Sequence, residues 1–319
     1  MGSSSRQSAK QHELDCQHIH HYISGNAACN NQRLLQIMLQ KKFHEFKFIR
    51  QTYFALYSQD LHHVLSIAQR NKPFAKAAYL RMSEPQERDA EIMRNSIFGG
   101  SLNLNTLIEI ICTRSSSDLQ CIKQTYRSRY NSDLEQDVHV TVKGGYREIL
   151  MAVLNSTRYY GCKVDTSRAM CDAKTLYEAV ESGKTIDQKT ILSLLSQRNS
   201  GQLRAILGCF KHLYGHEFSK SIKQSKCGQF GRELRIVIRC MQSPEKFFAK
   251  LLRMKSGDAR ELIIRIVVTR SEIDIKLVSK AFAAKTGISL ENFIRREFNS
   301  TKDKKNETVV SFLVSMIKG

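Results

Sequence analysis

The amino-acid sequence predicts an all-α protein. The 319 residues include only three prolines, a residue that helices exclude from their interiors. Leu, Ile, Lys, Arg, Glu and Gln, which favour helices, recur in long stretches. A hydrophobic content of 41% is enough for a full core.

One segment occurs four times in the chain. Residues 107–134 read LIEIICTRSSSDLQCIKQTYRSRYNSDL, and related segments lie at 34–61, 191–218 and 263–290. A basic residue closes the first apolar run of each copy, at spacings of 73, 84 and 72 residues. These residues are Lys41, Arg114, Arg198 and Arg270. Such self-similarity indicates one supersecondary unit per repeat, and four repeats fill the chain.

Each copy is predicted to contain a helical hairpin. Its apolar residues fall mostly three or four positions apart, the period of an amphipathic helix. A polar break, RSSSD in the second copy, separates two such runs, and Asp118 or a serine can cap the second helix. Further amphipathic patterns follow at 144–158 and 227–241, so each repeat carries several short helices.

The charge indicates a polyanionic partner. Fifty Lys and Arg against thirty Asp and Glu give a net charge of +20. Nucleic acid and anionic membrane surfaces both fit this charge, and composition does not choose between them. Nine scattered cysteines without paired CxxC spacing indicate a reducing, intracellular compartment. The N-terminus lacks the apolar core of a secretory signal, and no apolar run is long enough to span a membrane.

The repeats resemble the annexins, and among them the plant annexins. The resemblance covers essentially the whole chain after about residue 12. The matching motifs are IRQTY at 49–53, CTRS at 112–115, RSRYNSDLEQDV at 127–138, STRYYG at 156–161, SPEKFF at 243–248 and VVTRSEIDIK at 267–276.

This resemblance implies four repeats of about five helices each, arranged as a curved disc. In that family the convex face binds phospholipid headgroups, normally through calcium. The expected segments are an N-terminal tail (1–12), repeat 1 (13–83), repeat 2 (84–155), a linker (156–168), repeat 3 (169–243) and repeat 4 (244–319). Because the longest spacing lies at the linker, we expect two pairs of repeats divided there.

The family's calcium loop reads roughly G-x-G-T-D, and a downstream Asp or Glu completes the site. Glycines let the loop carbonyls converge on the ion, which takes six to eight oxygen ligands. In repeat 1, SGNAACNN has Gly25 as its only glycine, and the acid position falls near Pro73. In repeat 2, FGGSLN has adjacent glycines, Gly99 and Gly100, and the acid position is Gly145. Neither repeat keeps the motif.

Repeats 3 and 4 keep parts of it. In SGKTID of repeat 3, Gly183 and Asp187 remain, but Thr185 replaces the second glycine and Gln229 occupies the acid position. In KSGDAR of repeat 4, Lys255 replaces the first glycine. The residual calcium site of repeat 4 consists of Gly257, Asp258 and Glu307. Calcium is therefore expected at repeat 4 only, and weakly, because a lysine in the loop repels the ion.

Lysine side chains can replace the lost calcium ions by contacting lipid phosphates directly. Each basic residue near an anionic surface adds about 1 kcal/mol, so several give reversible, salt-sensitive attachment. The alternative is that they form an ordinary solvated surface. The predicted lipid-binding residues are Lys184, Lys255, Lys302, Lys304 and Lys305.

Neither the cysteines nor the sequence motifs indicate an enzyme. Cys112 and Cys240 occupy positions where plant annexins often carry cysteines, and they are either redox-active or small apolar core residues. The histidine position associated with peroxidase-like behaviour in plant relatives holds Gln40. No P-loop, GxSxG, HExxH or dinucleotide fingerprint is present. The sequence therefore predicts no enzymatic activity.

We predict a cytoplasmic, non-enzymatic protein that associates peripherally with anionic phospholipid membranes, with weak or lost calcium dependence, in stress or membrane-trafficking responses. Self-association on membranes and ion conduction rest on the resemblance alone. The alternative is a basic helical-repeat module for nucleic acid or an acidic protein partner. The lack of interleaved aromatic and basic residues counts against nucleic acid.

Overall fold

A computed structural model of the chain describes residues 2–25, 31–41, 43–68, 72–156, 163–181, 185–225, 228–254, 259–299 and 306–319. The regular structure in these ranges is helical and comprises α1 to α20 in chain order. The predicted all-α class is confirmed.

Each predicted repeat contains five of these helices. Repeat 1 holds α1 (Gly2–Ser24), α2 (Asn31–Gln40), α3 (Phe43–Tyr57), α4 (Leu61–Ala68) and α5 (Pro73–Met82). Repeat 2 holds α6 (Pro85–Phe98), α7 (Leu104–Thr113), α8 (Ser116–Tyr130), α9 (Leu134–Thr141) and α10 (Gly144–Asn155). Repeat 3 holds α11 (Thr166–Glu181), α12 (Gln188–Gln197), α13 (Ser200–Tyr214), α14 (Phe218–Gln224) and α15 (Gly228–Gln242). Repeat 4 holds α16 (Pro244–Arg253), α17 (Ala259–Arg270), α18 (Ile275–Thr286), α19 (Leu290–Asn299) and α20 (Glu307–Lys318).

Two helices begin earlier than the expected segments. The predicted tail is helical from Gly2 and continuous with α1, and α11 begins at Thr166, inside the predicted linker.

All three prolines stand at the first position of a helix. Pro73 begins α5, Pro85 begins α6 and Pro244 begins α16. The first position suits proline because its missing N–H would have no intrahelical partner there and its φ is already helical. The few prolines of the chain therefore mark helix starts.

The hairpin of repeat 2 is capped as its sequence suggests. The hydroxyl of Ser115 accepts a hydrogen bond from the Asp118 N–H, and the Asp118 carboxylate accepts one from the Ser115 N–H, both at 3.1 Å. This reciprocal capping box satisfies N–H groups that the first turn of α8 leaves without partners. In repeat 3, Asn199 caps α13 in the same place through the Gln202 N–H.

The third helix of every repeat ends on a left-handed residue. The φ angles are +52° at Ser58, +48° at Asn131, +71° at Gly215 and +74° at Gly287. These positions follow the same spacings of 73, 84 and 72 residues as the repeats. Glycine and asparagine are the usual residues for this cap because they tolerate positive φ.

The basic residues that mark the repeat register form ion pairs. Arg114 donates to both carboxylate oxygens of Asp89, at 2.5 and 3.2 Å. Arg198 binds Asp172 in the same bidentate way, at 2.6 and 3.0 Å. The Lys41 ammonium lies 3.3 Å from Asp15. In each case the acid lies on the first helix of the repeat and the base at the end of the second.

Repeat 4 departs from this pattern. Arg270 pairs with Asp274, one turn further along, at 2.6 and 2.7 Å. Its guanidinium lies 4.5 Å from the ring centroid of Phe248, which packs it against α16. Arg270 is only 2% exposed, so both contacts compensate the loss of its hydration.

The chain forms two compact units. Unit 1 consists of residues 1–84 and 248–319, and unit 2 of residues 85–247. In unit 1, α5 packs on α17 and α2 on α20, with the rings of Phe74 and Phe312 edge to face at 5.6 Å. In unit 2, α15 packs against α7 and α10. The expected pairing, repeat 1 with 2 and repeat 3 with 4, is therefore wrong: the apolar faces join repeat 1 to 4 and repeat 2 to 3.

Candidate functional site

The candidate sites are the segments between the first and second helix of each repeat, here called the cation loops. Most of the predicted site residues lie outside the described ranges. These are Lys184, Lys255, Gly257, Asp258, Lys302, Lys304 and Lys305. Glu307, Cys112 and Cys240 lie inside them.

The cation loop of repeat 2 is described in full and closes on its own hydrogen bonds. Gly99 N–H donates to the Asn95 carbonyl, and Asn103 N–H donates to the Ser96 carbonyl, both at 2.8 Å. The Asn103 side chain caps α7 by accepting from the Thr106 N–H at 3.2 Å. Gly100 has φ +112°, which side-chain-bearing residues rarely adopt. The loop offers an amide cap but no carboxylate.

A buried carboxylate from repeat 3 fills the acid position of repeat 2. A Cβ placed on Gly145 would lie 2.5 Å from Oε2 of Glu233. Glu233 is 8% exposed and accepts a hydrogen bond from the Gln229 amide at 2.9 Å. It lies against the first turn of α10, where the helix dipole favours negative charge. A side chain at position 145 would therefore have to displace the Glu233 carboxylate.

Neither the cation loop nor the acid position of repeat 2 fits calcium. The acid position holds Gly145, and Glu233 beside it is buried rather than open to an ion from solution. Lys143, which precedes α10, donates its ammonium to the Val140 carbonyl at 2.8 Å and brings positive charge to this end of the bundle. A hard cation needs several converging oxygens, and neither the cation loop nor the acid position of repeat 2 supplies an accessible carboxylate.

In repeat 3 the remaining acidic residue of the motif is engaged as a helix cap. Asp187 accepts from the Thr190 N–H at 3.1 Å through Oδ1 and from the Thr190 hydroxyl at 2.7 Å through Oδ2. These hydrogen bonds, first that of the hydroxyl, lower the pKa of Asp187. Gln229, at the acid position, donates to Glu233. Gly183 lies outside the described residues. Asp187 therefore serves the start of α12.

In repeat 1 a lysine occupies the end of the first helix. Lys72, next to the acid position at Pro73, donates to the carbonyls of Tyr22 and Ile23 at 3.0 and 2.9 Å. Both carbonyls belong to the last turn of α1, and Gly25 with φ +74° follows that helix. A cation of the chain itself thus lies where the cation loop begins.

In repeat 4 the described half of the predicted site is Glu307. It lies in the first turn of α20 and is exposed, and the structure gives its carboxylate no ion pair with a described residue. The preceding Asn306 donates its side-chain amide to the Phe298 carbonyl at 3.1 Å. Within the described ranges, no group of three or more His, Cys, Asp or Glu side chains converges as a metal site.

The two cysteines predicted as redox candidates are buried on facing helices. Cys112 on α7 is 7% exposed, and Cys240 on α15 is 0% exposed. The Cys240 thiol lies 3.9 Å from the Ile108 carbonyl of α7. Reactive cysteines are usually partly exposed and near positive charge, so this environment favours a packing role.

Residues of two kinds were not predicted from the sequence. Lys72 contacts the last turn of α1, and Glu233 lies against the first turn of α10. In the sequence only the neighbouring acid positions pointed to them. Phe98 and Leu102, which flank the glycines of the repeat 2 loop, are 52% and 38% exposed. Their apolar letters in the loop FGGSLN could have been noted as surface hydrophobic residues.

Comparison with known proteins agrees with this architecture. The family model described as Annexin matches residues 88–153, 171–235 and 247–301. Annexin D5 of Arabidopsis thaliana is 32% identical over 275 residues, which cover 85% of this chain and 87% of that protein. Annexin A13 of Homo sapiens is 31% identical over 280 residues, 85% of this chain and 88% of that protein.

Solved structures show the same fold. The structure of annexin III has a TM-score of 0.79 at 25% identity and covers 97% of this chain and 94% of that one. Calcium-bound annexin (Sm)1 has a TM-score of 0.76 at 20% identity, covering 97% and 90%. No described helix is both long and apolar enough to cross a bilayer. With helical repeats, family matches and relatives in agreement, this chain belongs to the annexin family, whose members bind phospholipid membranes in a calcium-dependent manner.

Proposed function

We propose that this annexin is a non-enzymatic peripheral protein that binds anionic phospholipid with weakened or lost calcium dependence. The observation that carries the proposal is repeat 2, whose cation loop and acid position are both described. The loop has no carboxylate, the acid position is a glycine, and Glu233, whose carboxylate lies against that glycine, is buried. The motif positions of repeat 2 therefore supply no carboxylate for a calcium bridge to lipid.

Positive charge supplies the alternative attraction. The net charge of +20 favours anionic surfaces at long range and is screened by salt. Lys143 places an exposed ammonium beside the acid position of repeat 2, and Lys189 is exposed in the first turn of α12, after the loop of repeat 3. Phe98 and Leu102 add exposed apolar surface next to the repeat 2 loop. We further propose that this attachment serves stress or membrane-trafficking responses in the cytoplasm.

Vesicle cosedimentation tests the proposal. The protein is expected to pellet with phosphatidylserine-containing vesicles in a chelator at low salt, and to be released at high salt, because direct lysine contacts are screened. Vesicles of phosphatidylcholine alone should leave it in the supernatant. Strict dependence of pelleting on added calcium would contradict the proposal.

A matched pair of variants locates the basic contacts. In one, Lys302, Lys304 and Lys305 become glutamine. In the other, Lys276, Lys280 and Lys285 on α18 become glutamine, with the same change in net charge. We expect the first variant to lose more binding than the second. Equal losses would show that only net charge acts, and a shift with RNA but none with vesicles would favour the nucleic-acid alternative.

Residual calcium binding is proposed at repeat 4, with Gly257, Asp258 and Glu307 as the residues that would hold the ion. Glu307→Gln is expected to abolish calcium binding to the free protein, because it removes the single described carboxylate of the site. Isothermal titration with calcium chloride measures this. Glu291→Gln, an acid of α19 in the same unit that pairs with Lys318, is the control. Unchanged heat in Glu307→Gln would place the ion elsewhere.

A further inference from the structure

The end of α1 holds an arrangement that the family's calcium chemistry does not supply. The last turn of a helix exposes carbonyl oxygens without intrahelical partners and carries partial negative charge. In α1 the carbonyl oxygens of Tyr22 and Ile23 converge on one nitrogen, the Lys72 ammonium, at 3.0 and 2.9 Å, and the Tyr22 carbonyl also accepts from the Gly25 N–H at 3.2 Å. The carbonyl oxygens of Tyr22 and Ile23, which together bind a cationic group, are here called the cation seat.

The lysine is held in place from several sides. Pro73 follows it, which disfavours helical backbone at Lys72, and its φ and ψ of −130° and 102° are extended. Its carbonyl accepts from the Lys76 N–H at 3.2 Å at the start of α5. Its ammonium also lies 5.2 Å from the ring centroid of Tyr22, which packs edge to face on buried Phe74 at 5.3 Å. The seat and its occupant are therefore pre-organised by the same packing.

The contact of Lys72 with α1 lies where the family would have its calcium site in repeat 1. The seat lies at the end of the first helix, where the cation loop begins, and Lys72 is adjacent to the acid position at Pro73. A calcium site needs a carboxylate on this side and open carbonyls on the other. Here the side chain is positive instead of negative, and it engages the carbonyls directly.

We propose that the Lys72 ammonium is the resident cation of repeat 1. It takes the place of a metal ion at the end of α1, so this helix end is ordered without calcium and is closed to it. A second cation beside the ammonium would be repelled, and the two carbonyls are already engaged. The inference extends the proposed loss of calcium dependence to a repeat whose loop sequence shows only that the motif is absent.

Hydrogen exchange of the full chain, without vesicles, tests the inference. Lys72→Met removes the charge and keeps much of the side-chain length. Amides in the last turn of α1 should then exchange about tenfold faster, because a charge-assisted contact to that turn is lost. Lys76→Met, in the first turn of α5 and paired with Glu261, is the control and should leave the last turn of α1 unchanged. Lys72→Arg should retain most of the protection.

Calcium chloride in the same measurement distinguishes a cation seat from a simple cap. Wild type and Lys72→Met should show no calcium effect at the end of α1. Lys72→Glu replaces the ammonium by a carboxylate beside two carbonyls, an oxygen set that suits calcium. Its last turn should be disordered in chelator and regain protection when calcium is added.

Two results would overturn the inference: unchanged exchange in Lys72→Met, or no calcium response in Lys72→Glu. Because no lipid is present, failure here leaves the proposed membrane binding standing. Conversely, loss of vesicle binding would leave the Lys72 assignment standing.

Discussion

Replacing Arg114 with methionine is expected to lower the free energy of unfolding by about 3–5 kcal/mol. Arg114 is 7% exposed and Asp89 2% exposed, and the two form a bidentate pair between α6 and the end of α7. Without the guanidinium, the Asp89 carboxylate would be buried without its main cation. The urea midpoint, followed by circular dichroism, measures the loss.

Two further variants separate this cause from general damage. Asp89→Leu combined with Arg114→Met removes both charges and should recover much of the lost stability, because paired burial of charges gains little over apolar packing. Arg129 is 38% exposed and pairs with Glu91. Arg129→Met breaks this pair and should lower the free energy of unfolding by about 1 kcal/mol or less. If Arg114→Met were no worse than Arg129→Met, the buried pair would not be a stabilising element of repeat 2.

This pair also shows how far the sequence predicts the fold. The repeating letters were sufficient to place Arg114 and its equivalents in register, because helical period and repeat length are local properties. The partner acids lie on the first helix of each repeat, and no local pattern distinguishes Asp89 from its acidic neighbours. In repeat 4 the partner changes to Asp274, a change that depends on how Arg270 packs beside Phe248.

The pairing of repeats escaped prediction for a related reason. A long linker between repeats 2 and 3 suggested a division there. Which apolar faces meet is decided by the side chains on them, and α15 packs against α7 and α10 across that linker. A linker can join repeats that pack together as readily as repeats that separate.

For the candidate sites, the sequence predicted which calcium motifs are incomplete. It did not predict which side chains occupy the incomplete sites. The missing carboxylate at position 145 can be seen in the sequence. That Glu233 fills the same space, and that Lys72 occupies the end of α1, depends on contacts between segments far apart in the chain. Asp187 matches the calcium motif in the sequence, yet in the structure its carboxylate oxygens cap α12.

Restoring the family's acid at position 145 is therefore expected to destabilise the protein rather than repair its calcium site. In Gly145→Asp the new Cβ would lie 2.5 Å from Glu233 Oε2 and 3.0 Å from Phe230 Cδ2. Glu233 would have to leave its place beside Gln229, and two carboxylates would share one buried space. We expect a loss of about 3 kcal/mol, from overpacking and from like-charge repulsion.

The matched control is Gly208→Asp on α13, where an added Cβ meets no atom within 4 Å. It introduces the same charge in the same unit and should leave the urea midpoint nearly unchanged. Combining Gly145→Asp with Glu233→Ala frees the space and removes one charge, so most of the stability should return. If Gly145→Asp were as stable as Gly208→Asp, Glu233 would not be what excludes a side chain from position 145. If the single variant also bound calcium in a titration, the missing acid alone would explain the loss of the repeat 2 site.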